Sequence, residues 1–199
     1  MKISVSLHNH TIMSDGELSP DELLLYLKDC GYDVIAITDH MNLTIPWKIP
    51  DDIIFMPGIE WYSPRGYEIA CINPHTIPEV GKLDLSQTEL KWIAHPMYSN
   101  FGRYSGTSFV MDMLSVLMNN RLDGYELYNR NDLQISEADY IELHNIKSIK
   151  INEYAVDDFH VKGQEFTGWI EMKVPELEYS EVMKNLLSGN YDIKVDESK

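Results

Sequence analysis

The chain is short of cysteine, of positive charge and of long apolar runs. Its 199 residues include two cysteines, Cys30 and Cys71. That is too few for a disulfide framework and better suits reduced thiols. Lys and Arg number 16 against 32 Asp and Glu, a formal net charge of −16. Wrapping a polyanion needs clustered cations to neutralise phosphates, so long nucleic acid is not an expected partner. A small phosphorylated molecule is not excluded by that balance, because bound divalent cations set the local sign of a pocket whatever the net charge. No stretch approaches the roughly 18 consecutive apolar residues of a membrane helix. The opening Met1-Lys2-Ile3-Ser4-Val5-Ser6-Leu7 lacks the apolar segment of a signal peptide. The expectation is a cytoplasmic protein, mature from its first residue and without membrane association.

What the chain does have is enough apolar material, 44% of its residues, for a packed core. A single domain over 1–195 followed by a polar tail, 196–199, is expected. Runs rich in Ile, Val, Tyr and Trp at 3–7, 34–38, 53–59, 67–72, 91–94, 122–128, 148–154 and 168–174 read as strands. Helices are expected at 20–30, 108–118, 136–144 and 178–187 from apolar spacing. The first has the fullest boundary signals: Ser19 as N-cap, Pro20 next, Glu22 three residues after the cap, and Gly31 past the end. Alternation of strand and helix predicts an α/β fold with a largely parallel sheet. The runs 53–59 and 67–72 leave no room for a helix between them, so a distorted or incomplete barrel fits better than a regular one.

The chemistry-bearing residues gather at the ends of these strands. His8 and His10 close the first run; residues two apart on a strand face one side, so both imidazoles can reach one ion. Asp15 follows in Ser14-Asp15-Gly16, Asp39 and His40 end the second run, and Glu60 the third. His95 ends the fifth, and the seventh leads to Asp158 and His160, again two apart. Singly, each of these has an ordinary structural reading, as a turn residue, a cap or a satisfied buried group. Jointly they put charged and imidazole groups on one rim of a parallel sheet, where active sites of such folds are built. Convergence of that many ionisable groups without a cation would be costly, so metal is the economical explanation. Nitrogen and oxygen donors without thiolate suit Zn, Mn or Fe.

The motifs H-N-H-T…S-D-G (8–16), A-I-T-D-H (36–40), P-G-I-E (57–60), A-H-P (94–96) and D-F-H (158–160) resemble, in order and spacing, the polymerase and histidinol phosphatase (PHP) superfamily. The segment Asp123-Gly124-Tyr125-Glu126-Leu127-Tyr128-Asn129 is similar to that family's sixth-strand segment, and the tail to its small stand-alone members. The resemblance implies a distorted barrel of about seven βα units, two or three divalent ions, and hydrolysis of phosphoesters through metal-activated water. Carried over by position, His8, His10, Glu60 and Asp158 would hold one ion and Asp15, His40 and His160 another. Glu60 would bridge to a third, completed by His95 and one more histidine. That histidine is missing: Ala70 stands nearest its place, with Glu68 and His75 as candidate substitutes. Asp39 is expected to orient a ligand histidine through its second ring nitrogen. Arg103 is the first candidate for binding phosphate, ahead of Arg65 and Arg130, and His144 is read as a surface residue. Two alternatives stay open: hydrolysis of a carbamate, amide or other non-phosphate ester, and a non-catalytic metal-stabilised module, which the missing histidine would favour.

Overall fold

The computed structural model describes residues 1–63, 67–74, 85–97, 107–131, 135, 140–141, 145 and 151–196. Its strands are β1 (Lys2–Ser6), β2 (Val34–Ile37), β3 (Ile54–Tyr62), β4 (Glu68–Ile72), β5 (Leu90–Ala94), β6 (Gly124–Asn129), β7 (Asn152–Val156), β8 (Gly168–Lys173) and β9 (Asp192–Val195). Helices α1 (Pro20–Asp29), α2 (Thr107–Asn120) and α3 (Tyr179–Ser188) accompany them. Each run expected as a strand contains one, with ends shifted by a few residues; positions 148–150 of the seventh lie outside the described residues. The helix expected at 136–144 lies mostly outside the described residues.

Helix α1 forms as its boundaries predict. Ser19 accepts the Glu22 amide, and the Glu22 carboxylate accepts the Ser19 amide, which satisfies two otherwise orphaned amides. Leu23, Leu24 and Leu27 fall on one face and pack with Ile35 and Ile37 of β2. Helix α3 ends at Gly189, whose φ of 69° is the left-handed geometry glycine tolerates best.

The strands form one nine-stranded sheet in the order β7-β6-β5-β4-β3-β2-β1-β8-β9. β1, β2 and β3 are parallel, as are β5, β6 and β7; β4 runs against both of its neighbours, and β8 against β1 and β9. The reversed β4 is what makes the barrel irregular, since a short link rather than a crossover helix joins it to β3. Near one rim the two arms of the sheet meet. The His10 amide donates to the Phe159 carbonyl at 2.9 Å, and the Phe159 amide to the His8 carbonyl at 3.3 Å. At the other end β8 pairs with β1 instead. The result is an α/β, nearly closed barrel.

Alternating residues of the strands, among them Val5, Ala36, Met56, Ala70, Trp92 and Tyr154, fill the interior together with Val182, Met183 and Leu186 of α3. Asn152, at the start of β7, donates to the carbonyls of Leu186 and Leu187, so α3 plugs the end where the parallel strands begin. The opposite end is left for chemistry. The strand β9 went unforeseen because Asp192-Ile193-Lys194-Val195 is short, charged and half exposed at a sheet edge. Among the described residues no helix is long and apolar enough to cross a membrane.

Candidate metal centre

Local sequence explains how each side chain reaches the rim. His8 and His10 continue the extended course of β1 and are both 0% exposed. Asp15 is brought over them by a tight turn in which the Gly16 amide donates to the Thr11 carbonyl at 2.9 Å. A Cβ at Gly16 would stand 2.2 Å from the His10 carbonyl oxygen, so only glycine allows that approach. His40 and Glu60 form a bridge between the ends of β2 and β3. His95 and Asp158 have positive φ, 24° and 50°, a conformation that costs side-chain-bearing residues energy and tends to be retained where it aims a functional group.

The eight residues singled out by sequence as ligands converge. His8 Nε2 lies 3.0 Å from His10 Nε2, 3.2 Å from Glu60 Oε2 and 3.5 Å from Asp158 Oδ1. His10 Nε2 is 3.3 Å from Glu60 Oε2 and 3.2 Å from Asp158 Oδ1. Asp15 Oδ2 faces His40 Nε2 at 3.3 Å and His160 Nε2 at 3.5 Å. Glu60 divides its carboxylate: Oε2 also meets His40 Nδ1 at 3.1 Å, whereas Oε1 meets His95 Nε2 at 2.8 Å. Three overlapping groups result, His10 with Asp15, His40 and His160; His8 with Glu60 and His95; and His8 with His10 and Asp158.

These groups fit divalent ions. With bonds of about 2.0–2.1 Å, neighbouring donors of a tetrahedral ion stand about 3.3 Å apart, and the separations above run from 2.8 to 3.5 Å. Both Glu60 oxygens and Asp158 Oδ1 are buried and receive no well-aligned hydrogen bond. Buried polar atoms are otherwise almost always satisfied. Each faces imidazole nitrogens at 2.8 to 3.5 Å, an arrangement that a shared cation would satisfy.

Two histidines have their free nitrogen chosen by the protein. His8 Nδ1 is 2.7 Å from Glu126 Oε1, so Nδ1 carries the proton and Nε2 faces the cluster. His160 Nδ1 is 2.8 Å from the Asp158 carbonyl, with the same effect. Glu126 is 1% exposed and also accepts from Trp92 Nε1, the His95 amide and Asn129. Sequence reasoning did not single it out. Its signal was present, an acid alternating inward on the core strand β6, but nothing nearby in the sequence marked its partner.

The role expected of Asp39 needs correction. Its carboxylate accepts from the Thr11 amide and hydroxyl, Ser14 Oγ and Thr44 Oγ1. It reaches a histidine ring only through Ser14, whose Oγ lies 3.4 Å from His10 Nδ1. Four short donors leave that carboxylate engaged with the loop that carries Asp15, so it shapes the loop instead of orienting a ring directly. Ala70, as expected, offers no ligand; it lies opposite Glu60 in the β3–β4 register. Glu68 does reach the site, with Oε2 3.0 Å from His95 Nε2. Arg65, His75, Arg103 and His144 lie outside the described residues.

Above the cluster is a cavity of about 500 Å³ lined by Asp15, His40, Glu60, Tyr62, Glu68, His95, Arg130, Asn131, Asp158, His160, Val161 and Gln164. Tyr62 stacks on His40 with ring centroids 5.0 Å apart. Arg130, half-buried at the end of β6, forms no ion pair with any carboxylate among the described residues.

The protein's own charges perturb the cluster strongly. Burial opposes charge on His8, but Glu60, Asp158 and Glu126 hold it well above 6.5. Against the same opposition, Asp158 and Glu60 raise His10 to about 9, and Glu60 and Glu68 raise His95 to about 11. Burial would raise Glu60 and Asp158, yet His8 and His10 keep both below the usual carboxylate range. In His40, burial prevails over Glu60 and lowers the imidazole.

An α/β barrel with clustered His, Asp and Glu side chains at one rim, able to hold metal, is the class of protein that this fold and site define. The family model of the PHP domain matches residues 6–79, so the resemblance read from the motifs is borne out there. An uncharacterised protein of Methanocaldococcus jannaschii is 35% identical over 89 residues, 38% of this chain and 37% of that protein. Among solved structures, a two-domain Bacteroides vulgatus protein containing a predicted PHP-like metal-dependent phosphoesterase superposes with a TM-score of 0.72 at 15% identity, covering 99% of this chain and 66% of that one. A lesion-specific endonuclease from Pyrococcus furiosus gives 0.65 at 16% identity, over 97% and 58%. An amidohydrolase from Chromobacterium violaceum gives 0.57 at 13% identity, over 98% and 99%. At such identities the likeness is one of fold. The chain spans less than two thirds of the length of the archaeal relative and of the first two structures.

Proposed function

We propose that the chain is a metal-dependent phosphoesterase that hydrolyses a small phosphorylated metabolite or nucleotide. The observation that carries the reading is the meeting of oxygen and nitrogen donors from eight residues at near-tetrahedral spacing beneath an open cavity whose wall includes Arg130, which forms no ion pair among the described residues. His8, His10, Glu60 and Asp158 would hold one ion, and Asp15, His40 and His160 a second; zinc, manganese and iron all suit these donors. Bound there, divalent ions supply Lewis acidity toward a phosphoryl oxygen and a nucleophile from water near neutral pH. The chain's own groups do the rest. Glu126 and the Asp158 carbonyl hold the rings of His8 and His160 in one tautomer. Arg130, on the cavity wall, would offer a planar donor fork to phosphate oxygens. The net charge of −16 supports a small substrate over a long polyanion.

The test is hydrolysis of generic phosphomonoesters and diesters with added manganese or zinc, in wild type and in His8→Ala, Asp158→Ala and Arg130→Ala. The first two variants should lose both bound metal and turnover; Arg130→Ala should keep its metal and raise KM. Equal turnover in His8→Ala would defeat the ligand assignment. Hydrolysis of amides or carbamates but no phosphoester would move the reading to a different ester or amide substrate. Metal retention with no hydrolysis at all would make the site a structural or regulatory one.

A further inference from the structure

The segment between β2 and β3 holds an indole out in solvent. Trp47 is 99% exposed, and Ile45 and Ile49 on either side of it are exposed as well. Single exposed apolar residues are ordinary, but a tryptophan standing wholly in water between two such isoleucines makes a patch that calls for a partner. The display is built into the fold. Asp21, in the first turn of α1, accepts the Trp47 amide at 2.8 Å and the Lys48 amide at 3.3 Å. Thr44 Oγ1 donates to Asp39 and so ties down the start of the segment. Pro46 and Pro50 fix two further backbone angles. Held at these points, the segment presents Trp47 outward.

Beside the tryptophan is a groove of about 430 Å³ between α1 and the same segment. Recesses that receive a ring-sized group start at roughly 300 Å³. Leu25 of α1, Ile49 and Pro50 give this one an apolar lining, and Lys28, Lys48, Asp21, Asp51 and Asp52 a charged one. Apolar centre and polar edge are the usual anatomy of a protein contact. Its charges nearly balance, in a chain whose net charge is −16, so two copies can meet here without setting like charges together. Lys28 is already paired with Asp52 at 2.5 Å. Lys48 and Asp51, both exposed, form no ion pair among the described residues.

We infer that this face is a two-fold interface between copies of the chain, with Trp47 of each seated in the groove of the other. A two-fold contact sets one surface against itself, so that surface must carry both the projection and the recess. Trp47 and the groove lie side by side on one segment, which meets that condition. The unpaired charges meet it too. Across a two-fold axis Lys48 of one copy would face Asp51 of the other, and the symmetry repeats the contact. A different protein would have to supply its own complement to indole, recess and both charges; a second copy already has all of them.

The inference uses no residue of the metal centre, so it stands or falls apart from the proposed function. Sedimentation equilibrium at up to about 100 µM, where mass action favours association, compares wild type with Trp47→Ser, Lys48→Asp and Asp51→Lys. Circular dichroism melting confirms that all four fold alike. Wild type should be a dimer, and Trp47→Ser should raise its dissociation constant about 30-fold or more, as loss of a central tryptophan anchor does. Each charge reversal alone should weaken the dimer, since like charges then face each other twice. An equimolar mixture of Lys48→Asp and Asp51→Lys should associate again, because both contacts of the mixed dimer pair opposite charges. These surface variants carry the test should Trp47→Ser melt early. Wild type monomeric at every concentration, a Trp47→Ser dimer as tight as wild type, or a mixture no tighter than its components would overturn the inference.

Discussion

His8 presents Nδ1 to Glu126 at 2.7 Å, and this contact decides which ring nitrogen faces the cluster. Glu126 also accepts from the His95 amide at 2.7 Å, so one carboxylate on β6 positions groups from β1 and β5. Its loss would leave His8 able to flip its tautomer or rotate. Removing such a supporting partner usually costs about 10–100-fold in metal affinity. Glu126→Ala should therefore weaken zinc binding by about that factor in calorimetric titration, and Glu126→Gln, which keeps the shape, by less. Unchanged affinity in Glu126→Ala would show that packing alone holds His8.

Metal uptake should expel protons. His10, raised to about 9, and His95, raised to about 11, are charged at pH 7 in the metal-free protein. An ion needs both neutral, so each must surrender a proton on binding. The sign follows: affinity rises with pH from 6 toward 9, and falls as acid restores the imidazolium forms. Titrations of zinc in buffers of different ionisation enthalpy would read the protons released; a buffer-independent heat would contradict this.

The two cysteines should react very differently. Burial pushes the Cys71 thiol up to about 12 and shields it completely. Cys30 is exposed at the end of α1; burial and Asp29 raise it too, to a smaller degree. Only a thiolate is nucleophilic. Iodoacetamide on the native protein at pH 8 should label Cys30 alone, with Cys71 modified only after unfolding, as peptide mass mapping would record.

Leu186 tests the plug at the far end of the barrel. It is 0% exposed and packs among Val5, Trp92 and Tyr154 in the same interior cluster. Leu186→Ala should cost about 2–5 kcal/mol of stability through lost burial and a cavity. Urea unfolding would measure this, and folded variant should keep its metal stoichiometry, because α3 lies opposite the donors.

Much of this was legible in the chain itself. Strands with buried faces are marked by Val, Ile and aromatic runs, and donors placed just after such runs, as with His40 and Asp158, announce a rim. The capping signals of α1 are local, so sequence alone suffices for them. What escaped was set by distance in the chain. Glu126 meets His8 across 118 positions, and no local pattern couples them. Asp39 was assigned to a ring because it adjoins His40, yet neighbours along an extended chain point to opposite sides, and its carboxylate turned to the Thr11–Ser14 loop. Strand β9 lacks the burial that makes other strands readable.

The meeting of His8, Asn9 and His10 with Phe159 has a thermodynamic consequence. Those few backbone bonds unite the two arms of the sheet at the rim, and each side of the join carries a ligand pair, His8 with His10 and Asp158 with His160. Parting the join would pull both pairs away from any ion they share. Occupancy and closure would then be linked, so that an ion bound across the join would act as a clasp favouring the closed barrel.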